Sequence, residues 1–245
     1  MILICRIPRR AIGLMAVAMS LCAASAMARV PSIQFPAAEK TVTDTRSETY
    51  ARKEKDALAL WKAGSRDEAK TMLYRQSTDA PPPDAAAAKL RLGYMNLGDK
   101  NDAEARRLFE AVADMPSGVN DAVKAEAAER MAYLALRDKQ YDLCRARFQR
   151  LVSGEYEITN EKAADICQRL GCLERGQKNY QAGVPYFEAM ESGAANPSQR
   201  AWARSGLAGL WLDMANGDGV PPLPAEDRPA AREKARFYCQ AILAD

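Results

Sequence analysis

The chain has 245 residues, 48% of them apolar and 27% charged, which suffices for one or two domains with a real core. Aromatic residues make up only 7% and alanine is abundant, a balance that favours closely packed helices, because alanine costs least in a helix and adds little to a pleated surface. Histidine is absent, which excludes Ser-His and Cys-His catalysis and every histidine-ligated metal site.

Residues 1–28 stand apart from the rest. "MILICRIPRR" carries Arg6, Arg9 and Arg10, and "AIGLMAVAMSLCAASAMA" follows with no charge and ends on small residues. A basic start, an apolar stretch and a small-residue cleavage point read as a secretory signal peptide, cut after Ala28. Left uncut, the stretch is marginal for spanning a bilayer, and no transmembrane segment is expected once it is removed. The expected location is the periplasm or the exterior of a bacterial cell. The signal takes three of the 35 basic residues and none of the 32 acidic ones, so what remains is close to neutral. A neutral chain is a poor partner for nucleic acid, whose binding depends on phosphate neutralisation. Residues 29–46, "RVPSIQFPAAEKTVTDTR", read as an extended lead-in.

From residue 47 to 245 the pattern is helical and repeats. "RLGYMNLGDKNDAEARRLFEAV" from Arg91, "RMAYLALRDKQYDLCRARFQRL" from Arg130 and "RLGCLERGQKNYQAGVPYFEAM" from Arg169 align without a gap at a spacing of 39 residues. Each has an apolar residue followed by Gly93, Ala132 or Gly171, then a polar turn "DKN", "DKQ" or "QKN". A small residue follows (Ala105, Cys144, Gly183), then Phe109, Phe148 or Phe187, then Val112, Leu151 or Met190. Small, aromatic and apolar residues at i, i+4 and i+7 share one helical stripe. Each unit is therefore a helical hairpin with its aromatic in the seam and Asn101 suited to cap the second helix of the first copy. One hairpin cannot bury its own apolar face, so the copies must stack.

The pattern extends both ways. Residues 60–76 carry a turn at Gly64 followed by Ala69 and Leu73, with Trp61 expected to close that end of the core. Residues 206–243 form a fifth hairpin with a long loop, in which Ala235, Cys239 and Ile242 take the stripe positions. The segments 78–84, 115–121, 152–160 and 192–198 read as linkers. Pro185, beside Gly183, requires the second helix of the fourth unit to start late or bend. Trp202 and Trp211 lie in the last first helix, and core packing is expected for at least one. "AED" at 225–227 precedes a helix, where acids suit the N-terminus.

After signal removal the cysteines are Cys144, Cys167, Cys172 and Cys239. An oxidising compartment permits a disulfide among them, with Cys144 and either Cys167 or Cys172 as the expected pair. The competing reading is small buried core residues. The spacing holds no Cys-x-x-Cys and suggests no zinc site. "GDGVPP" lacks the lysine of a phosphate loop. No metal or cofactor is expected, and no carboxylates form a catalytic pair.

These residues resemble the tetratricopeptide repeat family: leucine-glycine in the first helix, a short polar turn with Tyr141 or Tyr180, and small-aromatic-small in the second. The last unit is similar to Sel-one-like repeats, with a "GDGVP" loop followed by Lys234, Ala235, Phe237 and Tyr238. The resemblance implies an all-α superhelix, a solenoid of about five hairpins. Its concave face, lined by first helices, would hold a partner's segment. The stripe expected there is Leu90, Tyr94 and Leu97, then Glu129, Tyr133 and Arg137, then Gln168, Cys172 and Arg175; both tyrosines are equally compatible with packing between repeats. The implied function is a non-enzymatic protein–protein interaction scaffold or adaptor of the bacterial cell envelope. Two rivals remain: an envelope enzyme or enzyme subunit acting on cell-wall material through carboxylates, and a small-ligand or lipid carrier.

Overall fold

Helix boundaries follow the caps that the sequence supplies. In the computed structural model the described residues are 33, 46–116, 119 and 121–244, and every helix below lies in the unit Ser32–Asp245. The signal segment, its cleavage point and almost all of the lead-in fall outside the described residues. Among the described residues there are ten α-helices and no strand.

The first hairpin pairs α1 (Glu48–Ala63) with α2 (Arg66–Asp79); the second pairs α3 (Pro82–Gly98) with α4 (Asp102–Ala113); the third pairs α5 (Asp121–Arg137) with α6 (Tyr141–Val152). The fourth joins α7 (Asn160–Gly176) to α8 (Tyr180–Ser192), and the fifth joins α9 (Pro197–Asn216) through a long loop and a 3-10 turn (Ala225–Asp227) to α10 (Arg228–Ala244). Each helix packs on the next in sequence. The architecture is an all-α, tetratricopeptide-like helical solenoid, with the five hairpins that the repeat predicts.

Ser47, Asn101, Thr159 and Asn196 cap their helices by accepting a backbone N–H three residues on. Pro82 and Pro83 are not linker, as expected from composition; they open α3, where a missing N–H costs nothing. Helix α8 starts at Tyr180, in register with Tyr141 of α6, and runs on through Pro185 to Ser192. The late start expected for it does not occur.

The short turns end α3, α5 and α7 in one conformation. Lys100, Lys139 and Lys178 have φ of 62°, 61° and 61°. In each turn the lysine N–H reaches the carbonyl three residues back, and the next N–H reaches the carbonyl five back (2.8–2.9 Å). This is the Schellman arrangement, built on lysine where glycine is usual. At the last hairpin, the Val220 N–H donates to the Lys178 carbonyl (2.9 Å), tying the long loop to the preceding turn.

The seam is as the spacing predicts. Ala105, Phe109 and Val112, then Cys144, Phe148 and Leu151, then Gly183, Phe187 and Met190 are all buried. Trp61 packs on the cluster of Ala57, Ala69, Leu73 and Leu92 at the start of the stack. Ala235 is buried, but Cys239 is exposed, because no further hairpin among the described residues covers the far side of α10. Trp211 is half-buried and Trp202 is 62% exposed.

First helices of neighbouring hairpins touch directly, α3 with α5 and α7 with α9, whereas successive second helices make no contact of similar extent. The first helices therefore line the inner face. Helices α1 and α3, and helices α5 and α7, make no comparable contact, and α6 packs on α7 less extensively than the other junctions pack.

Candidate partner-binding face

The inner face carries a ladder of arginines and tyrosines at the repeat spacing. Arg91, Arg130 and Arg169 share one column, and Tyr94 and Tyr133 share another three residues on. The guanidinium of Arg91 lies 5.9 Å from the Tyr94 ring centre, and that of Arg130 lies 5.1 Å from Tyr94 and 5.7 Å from Tyr133. Arg169 lies 4.9 Å from Tyr133. Each tyrosine is thus flanked by two arginines, at distances where the ring face attracts a cation.

The rings are also built into the stack. Tyr94 meets Phe109 edge-on and Tyr133 meets Phe148 edge-on, both at 5.5 Å. The Tyr94 hydroxyl donates to Glu126 and accepts from Arg130 Nε (2.6 Å), so this side chain ties α3 to α5. Tyr133 Oη lies 3.3 Å from Glu129 Oε1, and Glu129 is itself paired with Lys162 of the next hairpin (2.5 Å). Burial, with the nearby Glu129 charge, pushes the Tyr133 phenol up to about 12. Burial and the Glu126 carboxylate raise Tyr94 in the same direction. Both phenols stay protonated donors at any physiological pH.

The remaining residues of the expected stripe divide by environment. Leu90 and Glu129 are buried and Leu97 and Gln168 half-buried, while Arg137, Cys172 and Arg175 are exposed. Arg137 pairs with Asp102 on α4 (2.6 Å), and Arg175 pairs with Asp213 on α9 (2.7 Å). These two pairs straddle neighbouring hairpins and fix the rim.

Between α5 and α7 the face opens into a depression of about 410 Å3. Tyr133, Leu136, Tyr141 and Phe148 line it from the third hairpin, and Arg169, Cys172 and Leu173 from the fourth. Cys172 occupies the column of Tyr94 and Tyr133, so a small thiol stands where the two preceding copies have a ring. All four described cysteines are free: Cys144 and Cys167 are buried, Cys172 and Cys239 exposed. The disulfide expected between Cys144 and Cys167 or Cys172 is not formed. Burial raises the Cys144 thiol to about 11 and Cys167 to about 12.

The arginine column is absent from the stripe expected from sequence, although it is the first letter of each aligned copy. The signal was therefore present. Of the acids beside it, Glu54, paired with Arg91 (2.6 Å), does not repeat, whereas Glu126, bonded to Tyr94, has an acid, Asp165, in the same position one copy on. Among the described residues no cluster of three or more His, Cys, Asp or Glu could hold a metal ion, and no helix is long and apolar enough to cross a membrane.

No family model matches the chain, and no curated protein matches it. Among solved structures it is similar to a crystal structure of a Podosopora anserina protein, a kinesin light chain by description, with nearly identical TPR-like repeats. The two share 15% identity, with 82% of this chain and all of the other covered, at a TM-score of 0.47.

Proposed function

We propose that the protein is an exported, non-enzymatic scaffold or adaptor of the bacterial cell envelope, working in the periplasm or outside the cell, that holds a segment of a partner protein against its inner face. The observation that carries this reading is the arginine–tyrosine ladder on successive first helices. Tyrosine and arginine anchor protein interfaces because they combine large contact area with directed hydrogen bonds. Here they lie on one face at a fixed spacing, which suits an extended or helical segment. Tetratricopeptide-like hairpins commonly serve protein–protein interaction. Export is supported by the basic, then apolar, then small-residue order of residues 1–28. Catalysis through carboxylates draws no support from this face, because Glu54, Glu126 and Glu129 are each bonded to an arginine, a lysine or a tyrosine.

Site-specific photo-cross-linking in living cells tests the reading. The cross-linking amino acid replaces Arg137 or Arg175 on the inner face, and Glu110 or Glu188 on second helices as controls. A discrete protein cross-linked from the inner positions alone is expected. The same products from both sets, or none from either, overturn the assignment. Amino-terminal sequencing of the protein from the envelope fraction tests export: the expected first residue is Arg29, and an intact Met1 overturns it.

A further inference from the structure

We infer that the depression between the third and fourth hairpins receives one large apolar side chain of the partner segment, with an acidic residue of that segment beside it paired to Arg169. The inference rests on the adaptor reading and names the chemistry of the partner at that face.

Three observations lead to it. First, neighbouring first helices meet at α3–α5 and α7–α9 but make no comparable contact at α5–α7. At this junction Tyr133 stands in the register of Tyr94 but is bonded to Glu129 of its own helix, whereas Tyr94 is bonded across to Glu126 and Arg130; Cys172 stands where Tyr133 stands one junction earlier and leaves the space of a ring unfilled. Second, the wall is apolar and aromatic, with Leu136 39% exposed at its edge. A void of about 410 Å3 falls in the range that holds a bulky side chain or a small ligand. Third, the charge is one-sided. The wall contains no carboxylate, and its one charged group is Arg169.

The other arginines of the face are engaged. Arg91 is held by Glu54, Arg137 by Asp102, Arg175 by Asp213, and Arg130 by the Tyr94 hydroxyl. Arg169 has the Tyr133 ring beneath it and no carboxylate of the described residues within ion-pair distance. A guanidinium stacked on a ring is fixed in direction and presents its remaining N–H groups outward, which suits a carboxylate. An apolar side chain would fill the depression while the adjacent acid meets the cation.

The probe is a random dodecapeptide library displayed on phage, selected against the full chain and then synthesised for fluorescence anisotropy. The expected result is enrichment of peptides with Phe, Trp or Leu next to Asp or Glu. Their binding weakens about tenfold or more in Arg169→Glu and in Cys172→Trp, which fills the depression. Both positions are exposed, and circular dichroism confirms the fold of each variant. Arg169→Lys keeps part of the affinity. Selected peptides without an acid, or peptides whose binding survives both variants, overturn the depression as the site while leaving the inner face as the interaction surface. Failure to enrich any peptide overturns both.

Discussion

Phe187 is held between two glycines, and this makes a sharp test of how the hairpins pack. A Cβ added at Gly171 would stand 2.4–2.8 Å from one edge of the ring, and one added at Gly206 would stand 2.5–2.6 Å from the other. Ordinary contact needs 3.4 Å or more, so Gly206→Ala requires the ring to move by about 1 Å in a close-packed core. The ring is only 3% exposed, and its far edge fills the space where a Cβ on Gly171 would be. It has no room to retreat. Overpacking of this kind costs about 1–3 kcal/mol. Replacing a helix-interior glycine with alanine returns up to about 1 kcal/mol. The expected net loss is about 1–2 kcal/mol, or roughly 2–8 °C in Tm for a chain of this size. Urea and thermal unfolding followed by circular dichroism measure it. Gly176→Ala is the control, since a Cβ there meets nothing within 4 Å, and it should hold or raise stability. Phe187→Leu in combination with Gly206→Ala should show a favourable coupling of about 1 kcal/mol, because the smaller side chain relieves the overlap. If Gly206→Ala stabilises as Gly176→Ala does, or if the coupling is zero, the seam is not closed by this ring.

Three further outcomes follow from the geometry. Lys139→Gly should raise stability by about 0.5–1 kcal/mol, because the left-handed turn strains any residue with a Cβ; Lys139→Ala keeps the strain, and an equal gain from it in urea unfolding would refute the cause. Glu174 is buried and bonded to Arg145 and Asn179, so Arg145→Met should destabilise by about 3 kcal/mol and the double variant Arg145→Met, Glu174→Met should recover most of that loss; no recovery would mean that the pair itself carries the stability. The thiols of Cys144 and Cys167 have folded values raised to about 11 and about 12 from an ordinary 9, so the unfolded chain releases these protons first. Stability is then full below pH 9 and falls as pH rises towards 11, by about 1.4 kcal/mol per unit for each thiol. The tyrosines titrate in the same direction only above pH 10, so melting between pH 8 and 10 isolates the thiols. A Cys144→Ala, Cys167→Ala variant should flatten that profile, and an unchanged slope would refute the assignment.

Much of this molecule was legible because the repeat states its own register. The Phe109, Phe148 and Phe187 column aligns without gaps, and helical spacing converts three columns into one buried stripe. What spacing does not carry is the identity of the neighbour on each flank. Leu90 and Glu129 share the stripe with Tyr94 and Tyr133 by angle, yet both are buried, Glu129 beneath a lysine supplied by the next hairpin. The left-handed lysines were hidden for a related reason. "DKN" contains no glycine, and only the shared backbone conformation of the three turns reveals the strain. Pro82 and Pro185 both read as interruptions and both lie within helices: proline is neutral in the first turn of α3, and within α8 the helix carries on past its missing donor.

The columns where the copies diverge are therefore the informative ones. The seam column reads Leu73, Phe109, Phe148 and Phe187, each buried at the same place in its hairpin. Three residues after the arginine column, the residues are Tyr94, Tyr133, Cys172 and Trp211, which differ in size and chemistry. At that column the first two rings join hairpins. The last ring takes Lys234 at 4.0 Å across its face. The cysteine alone leaves space, at a junction where neighbouring first helices make no extensive contact and beside the one arginine of its column that lacks an acid or a hydroxyl. Loss of a ring, a parted junction and an uncompensated cation coincide at a single place. A defect in packing would account for the first two and would favour filling the void with any apolar residue. The cation is unexplained on that account and explained by a carboxylate brought from outside.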